Sequence, residues 1–162
     1  VQLRTLITCV VVAASASGAG AQRPADDARA LVARLYRDFQ ADGNNPARSF
    51  VDQPRAILAA YLDPSLTDLV ASEGACVARR HAVCGLHFAL LWGSQEPDAH
   101  DVTLRRTSDP AVVIVGLGGS EGSRYIEITY RLVKTGIGWR VHDVVYPHRA
   151  SLRALLSRQA AR

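Results

Sequence analysis

The chain has 162 residues, 48% of them apolar and 21% charged, with no methionine. That balance excludes wholesale disorder, a collagen repeat and a disulfide-dense miniprotein, and the length suits one domain. The net charge of +4 rests on 18 Arg against one lysine, Lys134, a ratio that reads as GC-rich coding rather than a nucleic-acid surface.

In chain order, residues 1–21 read as a secretory signal peptide. Arg4 is the positive n-region, residues 6–14 are a short apolar run, and Ala19-Gly20-Ala21 supplies the small residues of a cleavage site before Gln22. Val1 reads as a GTG-encoded initiator. A membrane anchor needs about 20 apolar residues, and Ser15, Ser17, Gly18 and Gly20 interrupt this run. A lipoprotein reading through Cys9 leaves too short a leader before the cysteine. Residues 22–162 are then the expected mature domain, 162 − 21 = 141 residues with a net charge of +3 once Arg4 is gone.

Asp26 is placed to cap a first helix running to about residue 40, with Leu31, Leu35 and Phe39 on one stripe beside Val32 and Tyr36. The segment 42–46, rich in Asn and Gly and ending in Pro46, stops it. A second helix is expected over 54–62 with Ile57, Leu58, Tyr61 and Leu62 inward. Asp63-Pro64, an N-cap followed by proline at the first helical position, opens a third through Leu66, Leu69 and Val70. Residues 76–92 give no clear period.

After Trp92 the pattern becomes that of strands, expected at 102–106, 112–115, 125–134 and 139–146. Ile126, Ile128, Tyr130 and Leu132 share one face of the third; Arg131 lies on the other. Residues 116–123 form a glycine-rich link, better read as a hairpin loop than as a dinucleotide motif, because a strand and not a helix follows. Trp139 and Tyr146 are seven residues apart and so fall on opposite faces of a regular strand, with Trp139 in the core and Asp143 bonding a nearby turn or arginine. Ser151 caps a short last helix. Helices followed by antiparallel strands make an α+β fold.

Once Cys9 is removed, Cys76 and Cys84 remain. An oxidising compartment favours a disulfide between them. Eight residues of straight helix would hold them about 12 Å apart, beyond the roughly 7 Å limit, so either the segment bends or both are buried free thiols. Gly74 and Gly85 are the expected breakers.

The segment 139–147, Trp-Arg-Val-His-Asp-Val-Val-Tyr-Pro, together with 61–66, Tyr-Leu-Asp-Pro-Ser-Leu, resembles the bacterial secreted family called domain of unknown function 3828. Residues 151–156 resemble its tail, and the likeness spans most of 28–157. That family is similar to nuclear-transport-factor-2-like cone folds. The resemblance implies N-terminal helices wrapped by a curved antiparallel sheet of about four strands, with a pocket between them. Two positions depart from the family pattern: His87 and Ala89 stand where acidic residues are usual.

No cofactor motif is present. The five histidines lack metal-ligand spacing, no Cys-x-x-Cys occurs, and no Gly-x-Ser-x-Gly elbow marks a nucleophile. Nucleic-acid binding is not expected at this charge without aromatic interleaving. The helix-to-sheet seam offers Tyr36, Tyr61, His87, Trp92 and Arg131 as ligand-binding candidates, with Trp92 at a loop entry where it can meet a partner. The leading expectation is an exported, non-enzymatic binding module for an unknown small molecule. The alternatives are an immunity or inhibitor protein directed at a secreted hydrolase, and a cone-fold enzyme using His87.

Overall fold

The computed structural model describes residues 27–39, 49–95, 99–119 and 125–161. The signal-peptide segment, Asp26, the 42–46 stop and the centre of the 116–123 link lie outside the described residues.

Helix α1 (Ala28–Phe39) buries Leu31, Val32, Leu35 and Tyr36. Its cap is Asp27, one residue later than expected: the Asp27 carboxylate accepts the Arg29 amide at 2.9 Å. A 3-10 turn (Phe50–Asp52) precedes the single-turn helix α2 (Arg55–Leu58). The expected second helix is thus cut short. Tyr61 and Asp63 leave it to bond the sheet, Val141 N donating to Tyr61 O at 2.8 Å and Asp63 N to Val141 O at 2.9 Å. Ile57, expected inward, is exposed as a consequence.

Helix α3 (Pro64–Arg80) starts as its sequence directs, with the Asp63 carboxylate accepting the Leu66 amide. It runs straight through Gly74 and ends at His81, whose left-handed φ of 51° turns the chain back. Gly74 is needed for contact and not as a breaker: a Cβ there would stand 2.7 Å from the Val51 carbonyl oxygen of the 3-10 turn. The reversal at His81 brings Cys84 beside Cys76, and the two form a disulfide with Cα atoms 6.2 Å apart.

Strands β1 (Ala99–Arg106), β2 (Val112–Gly119), β3 (Ile126–Thr135) and β4 (Gly138–Val145) form one antiparallel sheet in sequential order. Gly116 to Gly119 belong to β2 rather than to the link, Gly116 pairing with both Thr103 and Glu127. Ile128, Tyr130 and Leu132 of β3 are buried, as the alternation predicts.

β4 departs from alternation. Arg131 pairs with Asp143 and Leu132 with Val141, so His142 is an extra, bulged residue. The bulge shifts the phase, and Val141, Val144 and Tyr146 all turn inward. Trp139 and Tyr146 therefore share the inner face, contrary to the expectation from a regular strand. Trp139 packs against the core while remaining half-buried at its edge.

Helix α1 lies across the inner face, touching β1, β2 and β4, and α4 (Leu152–Ala160) packs on α3 and β4. The architecture is α+β, with helices covering one side of a four-stranded antiparallel sheet. The outer side mixes polar and apolar residues, with Arg105 paired to Glu127 and Val133 exposed.

Candidate functional site

The five residues singled out in the sequence reach four different surroundings. Tyr36 and Trp92 meet in the core, edge to face at 6.5 Å, and Tyr130 joins them at 6.0 Å from Tyr36. The Tyr36 hydroxyl donates to the Leu91 carbonyl at 2.7 Å, so the 3.0 Å contact between the two hydroxyls has Tyr130 as donor. Burial pushes both phenols well above their ordinary range, and they act as neutral hydrogen-bonding groups. Trp92 is only 8% exposed, so it fills the space between α1 and the sheet instead of presenting a loop surface. A tight turn sets this up: Ala89 N donates to Ser94 O, and Gly93 takes a φ of 63° with its Cα against the Tyr146 ring. The Tyr146 hydroxyl completes the clamp by donating to Leu90 O.

His87 is exposed beyond this turn, and Arg131 is exposed on the outer face of the sheet. Neither adjoins the aromatic interior. Tyr61 packs edge to face with Phe39 and Phe50, and the Arg34 guanidinium lies over its ring, 5.0 Å from the centroid.

That arginine borders a concave surface that combines apolar and charged groups. A groove of about 420 Å³ runs between α1 and the β3–β4 hairpin, lined by Ala30, Leu31, Arg34, Arg37, Ile137, Gly138, Trp139 and Arg140. Helical spacing aligns Ala30, Arg34 and Arg37 along the exposed edge of α1. The hairpin presents Ile137, 79% exposed, at its tip. The half-buried Trp139 indole supplies the apolar wall.

Two guanidiniums converge at one end of the groove. Arg34 Nη2 donates to Ala60 O at 3.2 Å, and Arg140 Nε donates to the adjacent Ala59 O at 3.0 Å. Arg140 Nη1 also donates to Trp139 O at 2.7 Å. Burial, and then the charge of Arg34, hold the Arg140 guanidinium below its usual value. Among the described residues neither arginine forms an ion pair; Asp38, one turn beyond Arg34 on α1, is engaged by Arg37 at 3.2 Å and by the Tyr61 hydroxyl.

A second groove of about 200 Å³ opens on the other side of Trp139, lined by Asp27, Arg29, Arg106 and Val113 among others. Here the charges are matched, because Arg106 pairs with Asp27.

A third cluster was not visible in the sequence. Asp63 is 6% exposed. It accepts His142 Nδ1 at 2.6 Å and Arg153 Nη2 at 2.9 Å, in addition to the Leu66 amide. Arg153 also donates to His142 O and to Ser65 Oγ, tying α4 to the start of α3 and to the bulge of β4. Burial pushes the Asp63 carboxyl up, but the Leu66 amide, His142 and Arg153 outweigh it and hold it below its ordinary value. Asp143 acts beside it, accepting the Arg153 and Val144 amides.

Among the described residues, no three of His, Cys, Asp and Glu gather closely enough to hold a metal ion, and no helix is long and apolar enough to cross a membrane. No family model matches the chain, and no curated protein matches its sequence. A phospholipid-binding protein from Ralstonia solanacearum, solved in complex with a phospholipid, is similar to it with a TM-score of 0.49 and 18% identity, over 83% of this chain and 86% of that one.

Proposed function

We propose that this protein is an exported, non-enzymatic binding module that holds a small molecule in the groove between α1 and the β3–β4 hairpin. The observation that carries the reading is the groove itself. Its volume of about 420 Å³ falls within the range of small-ligand sites, and it joins an indole wall to a few convergent polar groups. Among the described residues its side chains are arginines, Trp139, Leu31, Ile137 and Ala30, with no carboxylate, histidine or cysteine, which favours binding over acid–base chemistry. Export is supported by the signal-like segment 1–21 and by the Cys76–Cys84 disulfide, which suits an oxidising compartment. Membership of the domain of unknown function 3828 family remains part of this proposal and rests on the motifs around Tyr61 and Trp139.

A thermal-shift screen of small molecules, phospholipids included, tests the reading. Ligands that raise the melting temperature of the wild type and lose that effect in Trp139→Ala support it. A screen in which nothing shifts the wild type overturns it.

One observation favours a second reading, a protein-interaction role such as immunity or inhibition. Ile137 projects at the hairpin tip, 79% exposed, beside arginines, which is the composition of a contact patch. A stoichiometric protein partner recovered from envelope extract, and lost with Ile137→Asp, would favour this reading over the first.

A further inference from the structure

We propose that the ligand of the groove is an amphipathic anion, whose carboxylate or phosphate head bridges Arg34 and Arg140 while its apolar body lies on Trp139 against Leu31 and Ile137. The inference rests on the groove being a binding site and specifies what it takes.

Trp139 lines two grooves that differ in charge. In the smaller one, Arg106 is neutralised by Asp27. In the larger one, Arg34 and Arg140 bond adjacent carbonyls, Ala60 and Ala59, which holds two like charges side by side without a carboxylate between them among the described residues. Burial lowers the pKa of Arg140, and the charge of Arg34 lowers it further. An anion placed between the two converts their repulsion into two charge-assisted hydrogen bonds. Each guanidinium carries five donors; backbone carbonyls take one from Arg34 and two from Arg140, and Arg34 also interacts with the Tyr61 side chain, so both forks keep donors for an anion. Their planar forks suit a carboxylate or a phosphate.

Ile137 is 79% exposed and the Trp139 indole is half-buried, so the wall beyond the arginines is apolar and open to water. A bare inorganic anion would leave that wall wet, whereas a neutral apolar ligand would leave the guanidiniums unpaired. A molecule with both parts covers both.

Calorimetric titration of the purified protein with octyl phosphate, the neutral octyl glucoside, inorganic phosphate and anionic phospholipid vesicles tests this. The expected result is octyl phosphate binding at least about tenfold more tightly than octyl glucoside and than inorganic phosphate, since a charge-assisted hydrogen bond exceeds the free energy of one decade in affinity. The preference over the glucoside should close in the Arg34→Gln/Arg140→Gln variant. Because both arginines also bond carbonyls, the wild type supplies an independent readout: its preference should shrink as salt rises to about 0.5 M. Equal, salt-independent binding of octyl phosphate and octyl glucoside overturns the anion and leaves the groove as a binding site. Inorganic phosphate binding as tightly as octyl phosphate overturns the apolar half. Retention on vesicles without binding of the octyl phosphate monomer overturns a ligand held in the groove. Binding of no probe, with no hit in the thermal-shift screen, removes the underlying reading as well.

Discussion

Asp63 is the residue on which most of the fold converges. One carboxylate caps α3, holds His142 at the bulge of β4 and receives Arg153 from α4. Its pKa is held below the ordinary value, so the carboxylate contributes stability above its unfolded pKa and loses it as pH falls through the folded one. Thermal melts of the wild type should therefore weaken steeply below about pH 4. Asp63→Asn should lose about 1–3 kcal/mol at neutral pH and show a shallower acid limb. An unchanged acid limb would show that this carboxylate is not the group responsible. The cap was legible in Asp63-Pro64, because capping is local. The partners were not, since they lie 79 and 90 residues further along the chain.

Tyr36 illustrates the same limit in the opposite direction. Its place on the apolar stripe of α1 was readable, and its role as a candidate ligand contact followed from its polar tip. That tip is used inside the protein, donating to Leu91 and accepting from Tyr130. Tyr36→Phe should cost about 2–3 kcal/mol in denaturant unfolding, because it leaves a buried carbonyl and a buried hydroxyl unpaired. A change near zero would mean that water replaces the lost bonds.

Among the elements, α3 shows contact overriding local preference. Gly74→Ala should improve helix propensity by up to about 1 kcal/mol. The added Cβ meets the Val51 carbonyl at 2.7 Å, and the displacement of the 3-10 turn should outweigh that gain, for a net loss of about 1–2 kcal/mol. A stabilised variant would show that the turn yields freely. Composition pointed to glycine as the breaker of this helix, but His81 ends it, in a left-handed conformation that residues other than glycine adopt only uncommonly.

The reversal at His81 explains how cysteines eight apart can bond. The intact protein should have a mass about 2 Da below that of its reduced form. Cys76→Ser/Cys84→Ser should cost about 2–3 kcal/mol, as expected for so short a loop; no loss would show that the loop is ordered without the bond. Alternation assumes a regular strand, and the single extra residue at His142 reverses every face beyond it. Trp139 and Tyr146 consequently share a side that strict spacing denies them.

For the whole molecule, the order of helices and strands was legible because amphipathic periods change sharply at Trp92. The α+β class and the sequential antiparallel sheet follow from that change. The site was less legible. The candidates at the helix-to-sheet seam were chosen for residue type, and packing then claimed Tyr36 and Trp92 for the interior while leaving His87 and Arg131 on separate surfaces. Only Tyr61 adjoins the groove, through Arg34. Arg34 lies off the apolar stripe of α1 and Arg140 sits in the last strand, and only the docking of α1 across the sheet brings them together.

The surface between α1 and the β3–β4 hairpin is the proposed meeting place of this protein and its ligand. Amide chemical-shift mapping by two-dimensional NMR during titration with octyl phosphate tests it most directly. The expected perturbations saturate and concentrate at Leu31, Arg34, Ile137, Trp139 and Arg140. Saturable shifts centred instead on His87 or on Arg131 and the outer face of the sheet would contradict it.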